Sequence, residues 1–443
     1  MTAPAPLVVA ADMGYGHLRA AWPIAEALGV EVREVDRAPL AGPEEERLWG
    51  RTRAAYEVTS RLSQWPVVGA PLRAALDATT RIEPLHPLRD LSAATRPVRA
   101  LERLLGGGKL GQGLVEALRR SGAPLVTTFY SPAIAADRAG CRGVHCVVTD
   151  SDLHRIWAPA EPARSRIRYF APTPRAVRRL VAYGVAAERV TLTGFPLPHE
   201  LVGGPGLKAL LRNLAARLVR LDPEREFRRS FQHELTHFVG GLPEEEEGRP
   251  PLLLFAVGGA GAQAELPGRF LPGFRPALES GRLRLALVAG LRREVGDRFR
   301  EAVAGAGLSS LPPGALEIHE ARGFAGYYRD FNALLARADA LWTKPSELAF
   351  YAALGLPVIC AWPVGAHEKY NRRWLIQAGA GLKQGEPPFA AEWLSEWLAD
   401  GTLAGAALAG FLRLPKFGLY RILEELRALG PGALGGAGAG GAV

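Results

Sequence analysis

Short runs of consecutive apolar residues recur along the 443-residue chain, most of them followed by a small or polar turn and a stretch with apolar positions three and four apart. A run that is apolar on both faces is the pattern of a strand buried in a parallel sheet. The longer period marks an amphipathic helix. The first such run covers residues 7–11. The turn Asp12-Met13-Gly14-Tyr15-Gly16-His17 follows, and then a helix with Leu18, Ala21, Ala25 and Leu28 on one face. The same reading predicts strands over 30–35, 125–129, 144–149, 168–171 and 190–193, with helices over 131–139 and 174–183. Residues 39–120 read as helical with breaks at Pro66, Pro71, Pro84 and Pro87. Within them Trp49, Tyr56, Leu62 and Trp65 are read as core, with an exposed apolar face that meets lipid as the alternative. Gly106-Gly107-Gly108-Lys109 has no preceding strand and no G-K-[ST] ending, so it is read as a helix–helix linker and not a phosphate loop.

The pattern restarts after residue 250. Strands are predicted over 252–257, 282–289 and 316–319, and a helix over 327–337. A strand at 338–342 leads into the polar loop 343–347. A helix over 346–354 is stopped by Gly355-Leu356-Pro357. A strand over 358–362 and a polar loop over 365–371 follow, then helices through 393–398 and 419–429. This organisation gives an α/β N-terminal domain over 1–200, a charged helical linker over 203–249 and an α/β C-terminal domain over 250–429. A Gly/Ala-rich tail over 430–443 reads as disordered. The last helix is expected to pack back on the first domain.

Composition narrows the class. The chain is 48% hydrophobic and 22% charged, as globular proteins are. Cys141, Cys146 and Cys360 show no C-x-x-C spacing and read as reduced core residues of a cytoplasmic protein. No signal peptide and no spanning run of about 18 apolar residues is found. The net charge of +9 favours anionic partners such as nucleotide phosphates or a lipid surface. No basic motif interleaved with aromatics points to specific nucleic-acid binding.

Candidate chemistry lies past the predicted strand ends, where ligands collect in open α/β sheets. His17 follows the first strand, and a histidine of ordinary pKa suits a general base at neutral pH. Asp150, Asp152 and His154 follow the strand over 144–149. The Gly258-Gly259-Ala260-Gly261 turn lets a backbone approach a ligand closely. Thr343, Lys344, Ser346 and Glu347 surround a helix start that suits a phosphate. His233-Glu234-Leu235-Thr236-His237 is a literal H-E-x-x-H, but its charged setting and the lack of a third ligand predict a surface helix without zinc. The acidic run 244–247 is expected to be solvated.

Taken together, these pieces resemble the two-domain GT-B glycosyltransferases. The likeness is to enzymes that galactosylate diacylglycerol and those that add N-acetylglucosamine to lipid-linked peptidoglycan precursor. The matching residues are Gly14-Tyr15-Gly16-His17, Val148-Thr149-Asp150 with His154 and Trp157, and Arg168-Tyr169-Phe170-Ala171-Pro172. Gly194-Phe195-Pro196, Gly258 to Gly261, Thr343-Lys344-Pro345, Gly355-Leu356-Pro357 and Glu368-Lys369-Tyr370-Asn371 complete the series in family order. The resemblance implies two Rossmann-like domains with parallel sheets facing a cleft. It implies hexosyl transfer from a nucleotide sugar, a UDP-sugar, to an acceptor hydroxyl on a lipid, with no bound cofactor or metal.

By that resemblance His17 and Asp150 are catalytic. Gly14, Gly16, Asp152, His154 and Trp157 bind the acceptor. Gly258, Gly259, Gly261, Thr343, Lys344, Ser346, Glu347, Glu368 and Asn371 bind the donor. The protein would be cytoplasmic and peripheral on the inner face of the membrane. The family's ribose-binding glutamate is replaced here by Phe350, with Glu347 one turn earlier. A non-catalytic nucleotide-sugar-binding protein and a nucleotide-sugar 2-epimerase of the same fold stay open as alternatives, and the oligomeric state is left open.

Overall fold

The computed structural model describes residues 4–62, 81–259, 261–363 and 365–428. The tail over 430–443, Trp65, Pro66 and Pro71 lie outside the described residues, as do the side chains of Tyr56 and Leu62. The chain divides into two compact units. The first takes the described residues of Met1–Leu197, Gly365–Tyr370 and Phe417–Val443; the second takes those of Pro198–Val364 and Asn371–Lys416.

The first unit is built on six parallel strands: β1 (Leu7–Ala10), β2 (Val32–Glu34), β3 (Leu125–Thr127), β4 (Val144–Val147), β5 (Arg168–Ala171) and β6 (Val190–Leu192). Their order is β2-β1-β3-β4-β5-β6. Every residue of β3 and β4 is buried, as expected for runs covered by helices on both faces. The chain goes out from β1 to β2 and returns on the other side of β1 as β3. The order therefore reverses between β1 and β3, and a crevice opens there at the carboxyl ends of the strands.

The second unit repeats the principle with β7 (Leu252–Ala256), β8 (Arg284–Gly290), β9 (Leu316–Glu320), β10 (Ala340–Thr343), β11 (Val358–Cys360) and β12 (Gly381–Lys383). The order β12-β11-β10-β7-β8-β9 is the doubly wound Rossmann arrangement, with its reversal between β7 and β10. The fold class is thus α/β with two Rossmann-like units.

Several elements differ from their expected form. Residues 347–354 wind as a 3-10 helix, not an α-helix. Gly365–Asn371 is not a loop, because Ala366–Gln377 is one α-helix. Its buried positions are Ala366, Glu368, Asn371 and Leu375; the last three are spaced i, i+3 and i+7, and two polar residues on that stripe disguised the helical period. Strand β3 stops at Thr127 because the Thr127 hydroxyl takes the Phe129 N–H at 3.2 Å and turns the chain. Strand β11 stops at Cys360, and Trp362 beyond it is 54% exposed.

Residues 203–249 belong to the same unit as the second sheet. The helix Lys208–Arg220 buries Leu210, Leu214 and Leu218 on one face, at the spacing of a packed helix. The acidic run is not simply solvated, since Glu246 pairs with Arg220 and Glu247 with Arg228. The helix Gly418–Ala428 belongs to the first unit and packs on Tyr15–Leu28.

Arg217 shows why the segment cannot be a spacer. It is 1% exposed, and it donates to the carbonyls of Ala338, Leu354 and Gly355 at 2.9–3.0 Å and of Leu335 at 3.4 Å. Burial pulls its pKa down to about 10, with Asp339 opposing the shift. Replacing Arg217 by leucine leaves those carbonyls buried without their donor. Each unsatisfied group costs roughly 1–3 kcal/mol, so the variant should lose at least about 3 kcal/mol of stability in urea unfolding. A loss below about 1 kcal/mol would contradict this role.

Candidate functional site

Each switch point carries a cluster of the residues singled out by sequence. In the first unit, Gly14 precedes the helix Tyr15–Leu28 with φ 121°, a conformation that side-chain-bearing residues resist. That turn sets Gly16 and His17 in the first helical turn. The His17 Nδ1 lies 2.8 Å from the Thr128 carbonyl, just past β3, and the Thr128 hydroxyl donates back to the His17 carbonyl at 2.8 Å. These two bonds cross the β1/β3 reversal. A carbonyl only accepts, so Nδ1 carries the proton in neutral His17 and the lone pair stands on Nε2.

His17 is half-buried, edge-on to Phe129 with ring centroids 4.7 Å apart, and 6.3 Å from Trp157. Burial lowers its pKa, and His367 pushes the same way. Asp150 and the Thr128 bond oppose the shift without reversing it. The imidazole is therefore neutral at pH 7. Asp150 is close enough to stabilise the imidazolium that would form on proton uptake. Tyr130, packed on Phe129 and Trp157, is held protonated by burial, with its pKa pushed up to about 12.

Three residues expected to bind the acceptor make structural contacts in this unit. Asp152 is fully buried, and its two oxygens take Arg179 at 2.7 and 2.9 Å and Arg175 at 2.5 Å. That clamp fixes the loop after β4 to the helix Pro174–Ala182. His154 accepts the Ile156 N–H at 3.2 Å through Nδ1 and caps the short 3-10 helix Arg155–Trp157. Trp157 is 4% exposed and packs in the core. Thr128, Thr149, whose hydroxyl is 3.4 Å from His17 Nδ1, and His367 were not foreseen as part of the cluster. Thr128 falls inside the strand expected over 125–129, and its place past the strand end follows only from β3 stopping at Thr127.

In the second unit, the Thr343 hydroxyl donates to the Ala256 carbonyl at 2.8 Å across the β7/β10 reversal. Lys344, 7% exposed, lies against Gly258: a Cβ there would stand 2.6 Å from Lys344 Cε, so a larger residue would have to displace the end of the lysine side chain. Gly259 accepts from Arg292 Nε, and Gly261 has φ +66°. The Ser346 N–H bonds back to the Lys344 carbonyl at 2.8 Å, and half-buried Glu347 opens the 3-10 helix. Phe350 is 3% exposed and packs on Trp374 with ring centroids 5.0 Å apart. Glu368 and Asn371 are both buried, Glu368 counted with the first unit and Asn371 with the second.

Among the described residues, Asp12, Glu34 and Asp36 have carboxylates spaced as metal ligands would be. Arg53 reaches Asp12 at 2.5 Å and Asp36 at 2.8 Å, and Arg37 reaches Asp12 at 3.1 Å and Glu34 at 2.9 Å. Two guanidiniums thus supply the positive charge there. In the H-E-x-x-H helix, Gln232–Phe238, both histidines and Glu234 are exposed and only Leu235 is buried.

The depressed pKa of His17 has a consequence for stability. A group whose folded pKa lies below its unfolded value binds fewer protons when native, so stability rises with pH up to about 6.5 and is then level. Buried His145, bonded through Nδ1 to the Leu125 carbonyl, acts in the same direction. Between pH 5 and 7 the unfolding free energy of His17→Gln should rise less steeply than that of wild type. Equal slopes would show that His17 is not desolvated.

No family model and no curated protein matches the sequence. Solved structures with a similar fold include the S. aureus MnaA–UDP complex, 12% identical, the match covering 96% of each chain with a TM-score of 0.49. MurG of Acinetobacter baumannii is 13% identical over 96% of this chain and 100% of that one, with a TM-score of 0.49. The glycosyltransferase SnogD of Streptomyces nogalater is 15% identical over 96% and 100%, with a TM-score of 0.46.

Proposed function

We propose that the chain is a glycosyltransferase that moves a sugar from a nucleotide-sugar donor to an acceptor hydroxyl. The observation that carries the reading is the locked tautomer of His17, which leaves the Nε2 lone pair as a base at a switch point. The acceptor O–H proton passes to Nε2. The freed oxygen bonds to the anomeric carbon as the bond from that carbon to the diphosphate oxygen breaks, and the diphosphate departs with the electron pair. A single displacement of this kind inverts the anomeric centre. Positive and N–H groups at the second unit's turn suit the leaving charge.

The 3-10 winding of Glu347–Leu354 supports the donor side of the proposal. Residues i and i+3 eclipse in a 3-10 helix, so Glu347 shares a face with Phe350. A carboxylate at 347 can then serve the ribose hydroxyls that the family's glutamate serves from the later position. The resemblance supplies the remaining expectations: a UDP-sugar, a lipid acceptor and peripheral membrane association. Among the described residues, no helix is long and apolar enough to cross a membrane.

The test is release of nucleoside diphosphate from UDP-, GDP-, ADP- and dTDP-sugars in the presence of diacylglycerol-containing anionic vesicles. His17→Ala should lower turnover about 10²–10⁴-fold, the usual contribution of a general base. The upward shift in melting temperature caused by the nucleotide should persist, because ligand binding to the folded state is separate from proton removal. Full turnover in His17→Ala would end the assignment of His17. Binding without turnover in wild type would favour the non-catalytic alternative.

A further inference from the structure

The turn after β7 meets one cation at Gly258 and a second at Gly259 and Gly261. Lys344 fills the place where a Cβ of Gly258 would stand. Arg292, in the turn after β8, donates Nε–H to the Gly259 carbonyl and brings Cδ to 3.2 Å from the Cβ position of Gly261. Its side chain keeps 22% of its surface exposed, and its ion pair to Glu294, at 3.4 Å, involves a partner 58% exposed. An exposed pair of that kind is weak and is easily exchanged for a more highly charged anion.

The turn is also fixed at its far end. Gln263 adopts φ +70°, a region that non-glycine residues seldom occupy, and is 7% exposed. Its Nε2 donates to the Trp362 carbonyl at 2.6 Å, past the end of β11. A strained residue persists only where its surroundings hold it, and such residues gather at ligand sites. With Arg292 on Gly259 and Gln263 on Trp362, the residues flanking position 260 are held by the protein itself, which reduces the ordering cost of binding.

We propose that Arg292, which lies against Gly259 and Gly261 where Lys344 lies against Gly258, binds the diphosphate of a nucleotide and so selects diphosphate over monophosphate or nucleoside. The inference rests on the nucleotide-sugar reading above. Two separated cations match the spread charge of a diphosphate, whereas one phosphate engages one of them. The guanidinium also offers paired donors that an ammonium lacks.

The test is calorimetry of the full chain as wild type, Arg292→Gln and Arg292→Lys. The ligands are UDP, GDP, ADP and dTDP, the matching monophosphate and nucleoside, and inorganic pyrophosphate, each at two salt concentrations. Arg292→Gln should weaken the preferred diphosphate about 10–100-fold, the loss expected for a charged hydrogen-bond partner. It should leave the nucleoside within about 3-fold, reduce the salt dependence of diphosphate binding, and be partly rescued by Arg292→Lys. Equal losses for nucleoside and diphosphate with an unchanged salt dependence would mean that Arg292 only props the turn, and would overturn the proposal. Unchanged diphosphate affinity in Arg292→Gln would overturn it while leaving the nucleotide reading intact. A wild type that binds none of the nucleotides would overturn both.

Discussion

Two hydrogen bonds between His17 and Thr128 join the helix after β1 to the turn after β3, and the chemistry assigned to the first unit depends on them. The first bond, from Nδ1–H to a carbonyl, decides which ring nitrogen is basic. The second, from the Thr128 hydroxyl to the His17 carbonyl, fixes the backbone from which the ring projects. Both are possible because the strand order reverses between β1 and β3, so the loops leaving these strands diverge and open a crevice. Aromatic packing by Phe129 and Trp157 then desolvates the ring and keeps it neutral. The second unit is stitched at the corresponding place by Thr343 and Ala256. In both units a threonine hydroxyl donates to a main-chain carbonyl across the reversal.

Arginine does much of the interior polar work. Arg179 is held by Asp152, Arg217 by four carbonyls, and Arg155 by the carbonyls of Ser92, Ala158 and Pro159. A planar guanidinium with several fixed donors suits such sites better than an ammonium does. The formal charge of +9 therefore overstates the charge offered to anionic partners. Several of its arginines are consumed in holding loops and helix ends, and Arg292 stands out because its guanidinium borders a glycine turn at a strand end.

The architecture was legible because buried parallel strands are short, continuous apolar runs, and those runs are present in β1, β7 and β11. The position of His17, just past a first strand and its glycine turn, was legible for a related reason, and the structure places it at the β1/β3 reversal. What could not be read was the partner of each polar residue. Asp152 and His154 lie beside Asp150 in sequence, yet an arginine clamp takes one and a helix cap the other. The clamp depends on Arg175 and Arg179, more than twenty residues away in sequence. The helix Ala366–Gln377 was hidden because its buried stripe includes Glu368 and Asn371. The 3-10 winding at Glu347–Leu354 was hidden because apolar residues on every side carry no period.

The central claim is that His17 is neutral, protonated on Nδ1, with its lone pair on Nε2. Nitrogen-15 NMR of the ring in histidine-labelled protein, assigned by loss of the signal in His17→Gln, reads this directly. The account predicts an Nδ1-protonated neutral ring at pH 7, with protonation of Nε2 only below pH 6.5. A ring protonated on Nε2, or one carrying both protons at pH 7, would contradict it.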